Sequence, residues 1–116
     1  MRELSYDAAV IGGGAAGMAA ALEIRAAGLS CVILEREESL GGILQQCVHN
    51  GFGLIEFNEE LSGPEFAERF EERFRASGAD AFLGVTVMDV ESSGDRKILY
   101  GYSAHHGILR VSVRAV

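Results

Sequence analysis

Apolar residues run unbroken through Ala8-Ala9-Val10-Ile11 and again through Cys31-Val32-Ile33-Leu34. Runs this short and this uniform suit strands buried on both faces, as in a parallel sheet. Tyr6 to Ile11 is therefore read as a first strand and Cys31 to Glu35 as a second. Between them, Ala15 to Ala27 is rich in alanine, leucine and methionine, good helix formers, and Gly28 suits the position just past a helix end. A second helix is expected from Ser62 to about Ser77, before Gly78. Ser62-Gly-Pro-Glu65 has the spacing of a capping box, with Pro64 in the first turn where its missing N–H costs nothing. Phe66, Phe70 and Phe74 recur every four residues and form one stripe, expected to pack on a sheet rather than stack on a ligand. Glu68, Arg69, Glu71, Glu72, Arg73 and Arg75 make its solvated face. Ala79 to Leu83 predicts a third strand. Three antiparallel strands follow at about 85–91, 97–104 and 108–114, joined by turns at Ser92-Ser-Gly-Asp95 and His105-His-Gly107.

The junction between the first strand and the first helix reads Gly12-Gly-Gly14-Ala15-Ala16-Gly17, a G-x-G-x-x-G. On its own this motif is weakly specific in a chain with 15 glycines. Here a strand precedes it, a helix follows, and an acid ends the next strand: Glu35 lies 35 − 14 = 21 residues after the middle glycine. That is the strand–turn–helix–strand unit that holds the ADP half of a dinucleotide, with the acid at the spacing of about 20 that reaches a ribose hydroxyl. Gly12 is expected to make the tight turn, Gly14 to leave room for a pyrophosphate, and Gly17 to let helix and strand pack closely. The free N–H groups of the first helical turn, at Ala15 and Ala16, carry partial positive charge toward that anion. A carboxylate at position 35 disfavours a 2′-phosphate, and Arg36 next to it offsets this only slightly.

One small domain over residues 1–116 accommodates this pattern. The net charge of −7 argues against nucleic acid or an anionic membrane as partner. The uncharged stretch at residues 8 to 22 is 15 long, short of a membrane span, and the leader has no basic region typical of a signal peptide. Cys31 and Cys47 offer neither a disulfide framework nor metal spacing, so a cytoplasmic location is expected. His105 and His106 are adjacent at a turn with no cysteine or acid beside them, and are read as exposed turn residues. Residues 36 to 61 lack periodicity and are broken by Gly41, Gly42, Gly51 and Gly53. An apolar loop of that length after a phosphate site is read as cofactor-lining.

From Glu35 to Gly42 the chain reads Glu-Arg-x-x-x-Leu-Gly-Gly, and this resembles the FAD domain of the glutathione reductase and thioredoxin reductase superfamily. The start of the second helix and the three-stranded meander resemble it too. The loop Gly41 to Leu54, GGILQQCVHNGFGL, is similar to a narrower group, bacterial FAD-dependent, NAD-linked dehydrogenases that accompany glycerol-3-phosphate dehydrogenase subunits. The resemblance implies a Rossmann-like, three-layer α/β fold with a parallel sheet and an antiparallel β-meander. It also implies FAD as cofactor, NAD(P)H as co-substrate, a glycerol-3-phosphate dehydrogenase-like partner and a homo-oligomer or complex. Gly12, Gly14 and Gly17 would carry the pyrophosphate, Glu35 and Arg36 the adenosine end. Gly41, Gly42 and Gln46 would run along the ribityl and flavin side. The superfamily's disulfide reductases use two nearby cysteines, but only Cys47 follows the Gly-Gly pair, so a dithiol mechanism within these residues is unsupported. Two roles stay open for Cys47, a thiol facing the flavin or a plain loop residue, while Cys31 is expected to be inert core. His49 likewise either bonds flavin or substrate or is satisfied by backbone.

In the superfamily the parallel sheet has the order 3-2-1-4-5, and its fourth strand would start near Arg114-Ala-Val116. Residues 1–116 are thus expected to be the N-terminal part of a longer flavoprotein, without a second nucleotide motif. Two other readings stand beside it: a non-catalytic dinucleotide-binding module, and the opening segment of a flavin monooxygenase or amine oxidase.

Overall fold

The computed structural model describes residues 1–46 and 61–116. The elements in order are β1 (Arg2–Ser5), β2 (Ala8–Ile11), α1 (Ala15–Ala26), β3 (Cys31–Leu34), a 3-10 turn (Gly42–Gln46), α2 (Gly63–Ala76), β4 (Asp80–Phe82), β5 (Thr86–Ser93), β6 (Arg96–Ser103) and β7 (Gly107–Val113). β2, β3 and β4 form a parallel sheet in that order, and β1-β7-β6-β5 form a second, four-stranded sheet.

Three layers result, and the side-chain period of β3 explains them. Cys31 and Ile33 point to one face, where they meet Met18 and Ala21 of α1 and Phe70 and Phe74 of α2. Val32 and Leu34 point to the other, where they meet Leu99, Leu109, Val111 and Val113 of the meander. Alternate residues of a strand face opposite sides, so a four-residue apolar run fills two cores. The phenylalanine stripe is core, as expected, with Phe66 and Phe70 edge to face at 5.0 Å. Burial also raises the Cys31 thiol's pKa, which keeps it protonated and unreactive.

Helix ends follow the sequence signals closely. Ser62 accepts from the Glu65 amide while the Glu65 carboxylate accepts from the Ser62 amide, completing the capping box. Gly28 and Gly78 both adopt positive φ just past α1 and α2.

The sequence reading missed β1. Arg2–Ser5 pairs in parallel with β7, from Arg2 opposite Leu109 to Ser5 opposite Ser112. Only Leu4 of this strand reaches the core, so no alternation betrays it. Arg96 fastens it, donating to the Ser5 hydroxyl, the Tyr6 carbonyl and both oxygens of Ser112. On the free side of β2, the Ala9 amide donates to the Ala115 carbonyl at 3.0 Å, and Ala8 and Ala115 form a parallel bridge.

Candidate functional site

The carboxyl ends of β2 and β3 meet at the glycine turn. Gly12 has φ +104°, a conformation that side chains oppose, and its amide donates to the Leu34 carbonyl at 2.9 Å. A Cβ on Gly17 would overlap the Gly12 carbonyl oxygen, so α1 leaves the turn at a distance only glycine permits. Gly14 is different. Its backbone is extended (φ −74°, ψ −172°) and a Cβ there would meet nothing within 4 Å. It is the N-cap of α1 yet has no side chain to cap it, and the first turn of α1 holds no acid. The opening amides of the helix, at Ala15 and Ala16, thus lack a side-chain cap.

Glu35 directly follows β3 and is buried, 8% exposed. One carboxylate oxygen accepts from the Gly13 amide at 2.7 Å and the other from the Glu37 amide at 2.7 Å. The acid therefore ties the glycine turn to the loop after β3. An ionised carboxylate has about four acceptor positions, so two remain for a further donor. Glu35 also borders two adjoining hollows. The first, about 370 Å³, is lined by Ile11, Gly12, Leu34, Glu35, Arg36 and by Val85, Thr86 and Val87 of the β4–β5 region. The second, about 640 Å³, runs along Glu35 to Ser39 and on to Gly42, Ile43 and Gln45. Arg36 borders both, largely exposed, 3.7 Å from the Glu37 carboxylate.

The Gly41-Gly42 pair approaches the same place. Both have positive φ, the Gly41 amide donates to the Gly13 carbonyl at 2.8 Å, and a Cβ on Gly42 would lie 3.3 Å from the Gly14 Cα. Gly12, Gly14, Gly17, Gly41 and Gly42 are thus gathered at the glycine turn, and Gly12, Glu35, Arg36 and Gly42 line the trough that the two hollows form. Gln46 closes the 3-10 turn that follows. Cys47 and His49 lie outside the described residues.

Sequence reading missed Val85 to Val87 as lining residues. The Val85 amide donates to the Glu35 carbonyl, which carries that segment to the trough, but nothing local in the sequence marks it. It also missed the setting of the histidine turn. His105 and His106 are exposed, as expected. However, His105 Nε2 lies 3.1 Å from a carboxylate oxygen of Glu38, 67 residues away in sequence, and the His106 ring meets Phe82 edge-on. Among the described residues no group of three or more histidine, cysteine or acidic side chains is placed to hold a metal, and no helix is long and apolar enough to cross a membrane.

The trough suits a dinucleotide. Neither backbone conformation nor internal packing requires glycine at Gly14, and the helix amides beside it lack a side-chain cap. A family model described as FAD binding domain matches residues 7–91. Thioredoxin reductase of Peptoclostridium acidaminophilum is 33% identical over 103 residues, 87% of this chain but 31% of that protein. The thioredoxin reductase of Streptococcus pyogenes MGAS5005 superposes with a TM-score of 0.75 at 26% identity, over 92% of this chain and 33% of its own. L-proline dehydrogenase from P. horikoshii, at 21% identity, shares the fold with a TM-score of 0.82 over 97% of this chain and 22% of its own. The chain thus spans about a third of the length of that curated relative, and with its family model covering residues 7–91 it belongs to the FAD binding domain family.

Proposed function

We propose that the trough holds FAD and that residues 1–116 are part of a longer, pyridine-nucleotide-linked flavin oxidoreductase. The observation that carries the reading is Gly14, bare on its outer side at the mouth of an uncapped helix. The diphosphate lies against Gly14 and the amides of Ala15 and Ala16. Glu35 uses its remaining acceptor positions for ribose hydroxyls, and the hollow at Val85 to Val87 takes the adenine, with Arg36 at its rim. Gly41, Gly42 and Gln46 flank the path toward the flavin. Bound FAD supplies two-electron redox chemistry between NAD(P)H and an acceptor. The residues of the trough bind and orient it, and Cys47 and His49 are the candidates for contact with the reacting ring.

The 33% identity to a thioredoxin reductase supports this branch over a monooxygenase or amine oxidase. The resemblance of Gly41 to Leu54 to dehydrogenases that accompany glycerol-3-phosphate dehydrogenase supports a narrower assignment, with such a subunit as partner in a cytoplasmic complex. Co-purification from cells expressing both proteins is the check, and separate elution of the two removes the partner.

The site itself is tested with Gly14→Val. A Cβ at this position meets nothing within 4 Å, so in the full-length protein circular dichroism and melting are expected to stay close to wild type, while flavin content falls to background. Full flavin in a folded Gly14→Val protein would refute the assignment.

A further inference from the structure

The wall that Val85, Thr86 and Val87 give the first hollow leads into a strand with one residue more than its partner. Val87 stands opposite Gly101 and Asp89 opposite Tyr100, so β5 takes two steps where β6 takes one, and Met88 is the extra residue of a β-bulge. The inward-facing residues record the same break. Val87 lies opposite buried Gly101 and Val90 opposite buried Leu99, while buried Val85 belongs to the same core as Leu99. From Val85 to Val87 the interval is that of an ordinary strand, and from Val87 to Val90 it is one residue longer. A bulge bends its strand and increases the local twist. Here the bend falls between two parts of β5 with different surroundings. Asp89 to Ser93 are exposed, whereas the approach to the strand is pinned to the loop after β3. The Gly84 amide donates to the Glu37 carbonyl at 2.8 Å and the Val85 amide to the Glu35 carbonyl at 2.9 Å. Gly101 completes the joint. A Cβ there would lie 2.7 Å from Val85 Cγ1, so the wall can sit where it does only because the facing strand is bare at that point.

We infer that the bulge at Met88 and the bare Gly101 across from it position the adenosine end of the nucleotide, by holding Val85 to Val87 at the depth that shapes the first hollow. The inference rests on the proposed FAD site and deepens it. Met88 is a positioning residue through its place in the backbone: its side chain is exposed and is not among those that line the hollow. Deleting it is informative for that reason. A strand one residue shorter would alternate without a break and still turn Val85, Val87 and Val90 inward, so the core keeps its side chains while the bend is lost.

The experiment is FAD titration of the deflavinated full-length protein, followed by flavin fluorescence. Deletion of Met88 is expected to weaken binding about ten-fold, the order set by losing one apolar wall against a ring. Met88→Thr keeps the residue count and should bind as wild type does. Gly101→Ala presses on the same wall from the facing strand and should weaken binding in the same sense. At saturating FAD the visible flavin spectrum of each variant should match wild type, whereas a general loosening of the domain would shift it. Wild-type affinity in a folded deletion variant, a loss in Met88→Thr equal to that of the deletion, or a shifted flavin spectrum overturns the inference while leaving the FAD site standing. Should the deletion prevent folding, Gly101→Ala decides, and wild-type affinity there overturns the inference. Failure of the wild type to bind FAD overturns both.

Discussion

Gly12, Gly13 and Gly14 are consecutive, yet each is glycine for a different reason. Gly12 needs a positive φ. A Cβ on Gly13 would strike the Leu40 side chain and press on Glu35, and Gly14 keeps an outer surface bare. Glu35 likewise has two roles, since it anchors the turn from within as well as bordering both hollows. Glu35→Ala is therefore expected to cost about 1–3 kcal/mol of stability, because the buried Gly13 amide loses its acceptor. It should also weaken ADP binding by about 1–3 kcal/mol, the scale of charge-assisted bonds to ribose. Urea melts and calorimetric titration measure the two effects separately, and wild-type ADP affinity would mean another residue holds the sugar.

At the scale of elements, the joint between β2 and β3 carries the test. Just before β2, Asp7 accepts from the Ser30 amide at 2.8 Å and from the Ser30 hydroxyl at 3.1 Å, and so ties the entry of one strand to the entry of the next. These bonds, the backbone one first, hold the Asp7 carboxyl below its usual pKa. Its folded pKa is lower than its unfolded one. The stabilisation is therefore present above the unfolded value and is lost as pH falls through the folded value. Asp7→Asn removes the titrating group, so its acid unfolding should be less steep over that window than that of wild type. Circular dichroism along an acid titration reads the difference, and superimposable profiles would show that Asp7 contributes nothing to the acid limb.

At the scale of the whole molecule, the parallel sheet is, among the described residues, covered on both faces but not at both edges. Beside β2 an apolar groove of about 710 Å³ runs past Ala20, Ile24 and Leu29, and Ala115 pairs with only the beginning of the strand. An open apolar strand edge favours pairing between molecules. The 116-residue polypeptide alone is therefore expected to associate as concentration rises, seen by light scattering. A high, reversible, concentration-independent melting temperature would contradict this.

Much of this molecule is local in origin. The apolar runs, the capping box, the glycine turn and the acid 21 residues beyond Gly14 are short-range features, and each was legible because backbone conformation and burial leave a residue-by-residue imprint. What the tertiary structure alone decided are the meetings between distant segments. β1 forms because β7 offers it an edge and Arg96 a clamp, though its own four residues carry one inward side chain. Val85 joins the trough through the Glu35 carbonyl, and His105 finds Glu38 across 67 residues. Such contacts depend on how layers stack and strands register, and no spacing along the chain encodes them.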